Sequence, residues 1–209
     1  MKLAVISHKV CWLSADSPSG YITDGGFPQQ MGAISELFDE TRIVVPCKSE
    51  GDTTGLSPLV GRQIKVVPLS EPKGSGIGRK LNIPFWLLKN CLTIFREIRT
   101  ADAIHSPIPG DVGTIGMAIA IMLRKPLFVR HCGNWMVQRT IAEKIWRWSM
   151  EYFAGGRNAM LATGGSNGPP SERNPHGEWI FATILRKAEL EPNFPRRSEE
   201  HTSELQSLR

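Results

Sequence analysis

The chain has 209 residues, of which 41% are hydrophobic and 22% charged, and its net charge is +5. Such a chain can bury one sizeable core, and its balance excludes disordered, collagen-like and disulfide-stapled classes. The mild positive charge admits anionic ligands such as nucleotides, phosphosugars or acidic headgroups, but no dense Lys/Arg stripe interleaved with aromatics marks a nucleic-acid binder.

In chain order, "KLAVIS" (Lys2–Ser7) has the short apolar run of a buried parallel strand. A polar loop rich in Ser, Asp, Pro and Gly follows from His8 to Gly26. Pro28 suits the first turn of a helix, and Met31, Ile34, Leu37 and Phe38 then recur at helical spacing. "RIVVP" (Arg42–Pro46) and "IKVVPL" (Ile64–Leu69) are the next strands. "EPKGSGIGRK" (Glu71–Lys80) is expected to be a flexible basic loop. Its GSGIG lacks the preceding first strand that a dinucleotide fingerprint needs.

Ile83–Ile98 is a helix with Leu87, Cys91, Ile94 and Ile98 near one face, and Ala101–Ser106 is a fourth strand. A buried helix then ends at Pro126. Its apolar run, Val112–Leu123, falls short of the roughly 20 residues a membrane span needs. Leu127–Cys132 is a fifth strand. Thr140–Gly156 is an amphipathic helix whose core face is expected to hold Ile141, Ile145, Trp148 and Tyr152. Its tryptophans beside Arg139, Lys144 and Arg147 leave a peripheral membrane contact open as an alternative to core packing. Asn158–Gly165 and Trp179–Ile184 complete the strands. The alternation predicts an α/β fold, a Rossmann-like parallel sheet with helices on both faces.

Ligands of such sheets gather at the carboxyl ends of the strands, near the point where strand order reverses. Gly25 and Gly26 open the first helix there, where free amides and the helix dipole favour an anion. A plain tight turn is the competing explanation. "IHSPIPGD" (Ile104–Asp111) and "VRHCGNW" (Val129–Trp135) bring Ser106, Arg130, His131 and Asn134 to the same rim as candidate ligand contacts. His105, inside its strand pattern, is expected to be a core histidine. Cys11, Cys47, Cys91 and Cys132 form no CxxC pair and no zinc-spaced set. Reduced, buried cytosolic thiols are therefore expected, with no metal and no resident cofactor.

The order of "LAVISH", "DGGFPQQMGAISELF", "TRIVVP" and "ADAIHSPIPGDVGTIGMAIAIMLRKPLFVRHCGNW" resembles the N-terminal domain of family 4 glycosyltransferases, which have the two-domain GT-B fold. The resemblance covers most of Met1 to about Gly165. It implies an acceptor-side domain at 1–196 of an enzyme that transfers a sugar from a nucleotide-sugar to a glycan, lipid or small-molecule hydroxyl. The nucleotide-sugar is a co-substrate, and the paired glutamates of the donor motif belong to a C-terminal domain not visible in the sequence. The resemblance further implies that Gly25 and Gly26 face the donor diphosphate and acceptor, and that His131 touches the transferred sugar in catalysis. Cys132 stands between His131 and Gly133, where that family often has the glycine directly. The implied setting is the cytoplasm, with contact at the inner face of the membrane left open. A stand-alone anion-binding module without catalysis, or half of a sugar-nucleotide epimerase, are the alternatives. The final stretch, "RSEEHTSELQSLR" (197–209), resembles a translated sequencing adapter and is expected to be an artefactual tail, so that sequence beyond Arg196 is expected to be missing.

Overall fold

The computed structural model describes residues 1–71, 74 and 76–180. Seven parallel strands form the body of the sheet. They are β1 (Lys2–Ile6), β4 (Glu40–Lys48), β6 (Ile64–Leu69), β7 (Ala103–Ile108), β8 (Leu127–His131), β9 (Asn158–Thr163) and β10 (Gly177–Ile180). Their order across the sheet is β6-β4-β1-β7-β8-β9-β10, all paired in parallel. The chain runs outward from β1 to β6, returns to β7 on the other side of β1, and then runs outward again. Strand order therefore reverses between β1 and β7, the arrangement of a Rossmann-like α/β fold.

Hydrophobic alternation assigns the two faces. Ala4, Ile6 and Val44 join the helices α2 (Gly76–Thr100), α3 (Asp111–Met122) and α4 (Ile141–Phe153) in one core, through Trp86, Ile94, Ile98, Val112, Met117 and Met150. Leu3, Val5, Ile43 and Val45 point the other way, onto Met31 of α1 (Phe27–Ser35). Right-handed crossovers demand this split, with α1 on one face and the other three helices opposite. β1 is buried on both faces at Leu3–Ile6, which explains its unbroken apolar run.

The His8–Gly26 segment is more ordered than a polar loop. It holds β2 (Cys11–Leu13) and β3 (Tyr21–Thr23), which pair antiparallel, and β5 (Ser57–Pro58) adds to β3. β2 continues the sheet from the end of β4, through Cys11 opposite Cys47. Strands of two or three residues are too short to show a period of two in sequence.

Other expectations shift as well. α2 begins at Gly76, so the glycines Gly76 and Gly78 lie in its first turn and not in a loop, and Pro84 sits within the helix. Leu37 falls beyond the end of α1 and is exposed. On α4, Ile141, Ile145, Trp148 and Tyr152 are exposed, and Trp146, Ser149, Met150 and Phe153 face inward. Both sets satisfy helical spacing. The second packs on the core through Met150, Trp146 and Phe153, and there the Trp146 Nε1–H donates to Thr114 Oγ1 of α3 at 2.8 Å. Of the cysteines only Cys11 is buried, and Cys132 is exposed. Phe181–Ile184, the end of the last expected strand, and the 197–209 tail lie outside the described residues.

Candidate functional site

The carboxyl ends of β1 and β7 flank the reversal point, and the next segments fold over it. β1 runs into Ser7, His8 and Lys9, and β7 runs through a cis Ile108–Pro109 bond into Gly110, the N-cap of α3. Gly110 has φ +153°, and a Cβ there would lie 2.3 Å from Nδ1 of His8. Only glycine lets the His8 imidazole pack on the mouth of α3. Gly133 lies against both Pro109 and the ring of His131, since a Cβ on it would stand 3.6 Å from Pro109 Cδ and 3.1 Å from His131 Cε1.

Gly25 and Gly26 reach the same edge from the other side. Gly25 takes φ +68°, left-handed as expected for a glycine turn, and Gly26 is the N-cap of α1 with no side-chain cap. α1 runs antiparallel to the strands it connects, so its N-terminus opens at their carboxyl edge. Lys9 stands beside it, with Nζ 3.9 Å from the position of a Gly25 Cβ and 2.6 Å from Oδ1 of Asp24. The hydrogen bond from Lys9 is the main cause that holds the Asp24 carboxyl below its usual range. Gly25, Lys9, His8, Gly110, Pro109, Gly133 and His131 thus follow one another along a single rim.

His131 ends β8 and is 4% exposed. Its ring meets Trp135 edge-on at 5.4 Å between centroids, and Thr163 Oγ1 donates to its carbonyl at 2.6 Å. Nδ1 is buried and has no hydrogen-bond partner. Burial pushes its pKa down, against smaller opposing effects of the Gly133 backbone and the Glu143 charge. The ring is therefore biased to its neutral form, and its Nδ1 is a buried polar atom that a ligand hydroxyl reaches only if the Gly133–Trp135 segment over it shifts.

The other candidates do not converge with it. Ser106 is fully buried beneath α3, and its hydroxyl donates to Gly113 O at 3.1 Å, so it cannot reach a ligand at the rim. Arg130 neighbours His131 in β8 and so projects to the opposite face, where its Nε–H donates to Cys132 Sγ at 3.2 Å. Asn134 is exposed, and its Oδ1 accepts from the amides of Met136 and Val137 at 2.9 and 3.2 Å, which shapes the loop after β8. His105 is a core residue, as its strand position implied. It is 1% exposed, stacks on Phe128 and donates from Nδ1 to the Phe128 carbonyl. His8, Lys9, Gly110 and Gly133 were not singled out in sequence, although "SH" closing the first strand and "PGD" opening a helix mark the same turns.

A separate depression of about 530 Å³ opens between α4 and the segment after β9, lined in part by Gln138, Arg147, Trp148, Ser171, Arg173 and Trp179. It shares no lining residue with the Gly25–His131 rim. Arg147 there is paired with Glu151 at 2.9 Å. Among the described residues, no group of three or more His, Cys, Asp or Glu side chains is placed to hold a metal ion.

Fold and rim together define a Rossmann-like α/β protein with an open carboxyl edge at its reversal point. No protein-family model matches the chain, and no curated protein matches it.

Proposed function

We propose that this chain is the acceptor-side domain of a GT-B glycosyltransferase, which moves a sugar from a nucleotide-sugar to a hydroxyl. The observation that carries the reading is the buried, unpartnered Nδ1 of His131, on the same strand edge as the uncapped mouth of α1. In this reading the α1 amides and the Lys9 ammonium face the diphosphate, where negative charge grows as the sugar departs. Preorganised donors aimed at developing charge lower the barrier most in a site that excludes water. His131, neutral at pH 7, exchanges a hydrogen bond with a sugar hydroxyl and adds no charge of its own. In this reading the described residues form one wall of the cleft, and the chain up to Arg196 transfers no sugar alone.

The gene is read past the codon for Arg196, and the complete product is assayed with a panel of nucleotide-sugars and hydroxyl acceptors. An open frame encoding a second strand–helix domain with paired glutamates, and transfer that falls about 100-fold or more in kcat in His131→Ala, are expected. A stop codon at that point in the natural gene leaves a binding module and overturns the proposal. Epimerised nucleotide-sugar as the sole product assigns the rim to epimerisation instead.

A further inference from the structure

α2 carries two apolar faces, and only one of them is used by the fold. Trp86, Ile94 and Ile98 are buried on the sheet. On the far side, Leu81, Phe85, Leu88, Leu92 and Phe95 are 69, 73, 74, 75 and 40% exposed. Their spacing alternates four and three residues, so they form a straight line along the helix. A contiguous exposed stripe of this kind marks an interaction surface.

The exposed charges that α2 itself sets beside the stripe have one sign, and Glu71, which lies next to Phe85 and Lys89, is paired with Lys48 at 3.1 Å. Lys89 and Arg96 are exposed along one of its borders, and Arg99 continues its line. Among the described residues none of the three enters an ion pair with an acid. The sole acid of α2, Glu97, faces inward and is held by Arg42 at 3.1 Å and Lys2 at 3.8 Å. Pairing the stripe with a second copy of itself would set these cations against one another, since α2 offers no exposed acid to match them and the nearby Glu71 is already engaged by Lys48. An anionic surface with an apolar interior satisfies both halves of the pattern.

We infer that α2 docks the protein on an anionic lipid surface. It lies in the interface plane, with Leu81–Phe95 among the acyl chains and Lys89, Arg96 and Arg99 at the headgroup phosphates. Among the described residues no helix is long and apolar enough to cross a membrane, so the contact lies on the bilayer. The inference stands apart from sugar transfer.

The full chain is floated with vesicles of phosphatidylcholine alone, or with about 30% phosphatidylglycerol, at about 0.1 M salt. Flotation with the anionic vesicles only is expected. Leu88→Ser with Leu92→Ser, and separately Lys89→Glu with Arg96→Glu, each lower the bound fraction by about tenfold or more. Leu37→Ser, exposed near the end of α1, leaves it unchanged. All of these side chains are outside the core, and the charge pair keeps the test valid if the apolar pair disturbs folding. Absence of flotation overturns the inference, as does equal flotation of both double variants and the unaltered chain. A dimer abolished by Leu88→Ser with Leu92→Ser, without flotation, assigns the stripe to a second copy.

Discussion

His105 binds a proton far less readily in the fold than in the unfolded chain. Burial is the main cause, and it pushes the pKa from 6.5 down to about 4, with a smaller opposing effect of the Phe128 carbonyl. Below pH 6.5 the unfolded chain takes up a proton that the folded one refuses. Stability is therefore greatest above 6.5 and falls as the pH drops toward about 4. His131 is shifted in the same direction and adds to the same slope. Urea melts at neutral pH and near pH 5 are expected to differ by about 2 kcal/mol from His105, and His105→Leu removes most of that difference. An unchanged slope in the variant would show that His105 is not the source. Thiols offer a second residue-scale check. Burial raises the pKa of Cys11 to about 12 and of Cys47 to about 11, and Cys132 is exposed. Alkylation at pH 8 should label Cys132 well before Cys47 and leave Cys11 unmodified until the protein unfolds.

At the scale of elements, Asn90 and Trp86 of α2 both hold Ser70, the residue after β6, Trp86 through its Nε1–H to the Ser70 carbonyl. Asn90 Oδ1 accepts from the Ser70 amide at 3.1 Å, and its Nδ2 donates to Ser70 Oγ and to the Trp86 carbonyl, each at 2.8 Å. Asn90→Leu fits the apolar surroundings but strands a backbone donor. A loss of about 1–3 kcal/mol in urea unfolding is expected, and a neutral result would mean that water replaces the side chain. α4 also shows where sequence patterns mislead. It and α2 each have two apolar faces at helical spacing; on α2 the expected face, with Leu87, Ile94 and Ile98, is the one packed on the sheet, and on α4 it is not. On α4 the packed face is fixed by contacts distant in sequence, among them the hydrogen bond between Trp146 and Thr114, 32 residues apart. Such a contact is invisible to local periodicity. The capping box of Thr140 and Glu143, which opens α4, does appear in sequence as a "TIAE" start.

For the whole molecule, the parallel sheet was legible because its strands are short apolar runs bounded by turns, and β1, buried on both sides, is the plainest case. The β2–β3–β5 flap was not, since its strands are brief and partly polar. The rim was legible only where strand ends carry unusual residues. His131 stood out, but the burial of Ser106 under α3 and the turn of Arg130 to the other face depend on register and helix placement. The architecture predicts unequal local stability. Hydrogen exchange should be slowest in β1, β7, β8 and the first half of β4, which pair over at least three residues with strands on both sides, and fastest in β2, β3 and β5, whose pairings span two residues each. Equal rates across the two groups would show that the flap unfolds only with the body of the sheet.

The Lys9–Asp24 contact has a consequence for selectivity. Any anion that comes to the mouth of α1 finds the ammonium already engaged by a carboxylate tethered two residues before the helix cap. A visitor with a single charged oxygen merely trades places with Asp24 and gains little. A pyrophosphate brings several oxygens and can take the helix amides and the ammonium together. Asp24→Asn, titrated with pyrophosphate and with acetate, should tighten binding of both by about two- to fivefold, with acetate gaining the larger share. In the proposed function, Asp24 would thus act as an internal rival that sets a threshold of charge for an incoming ion.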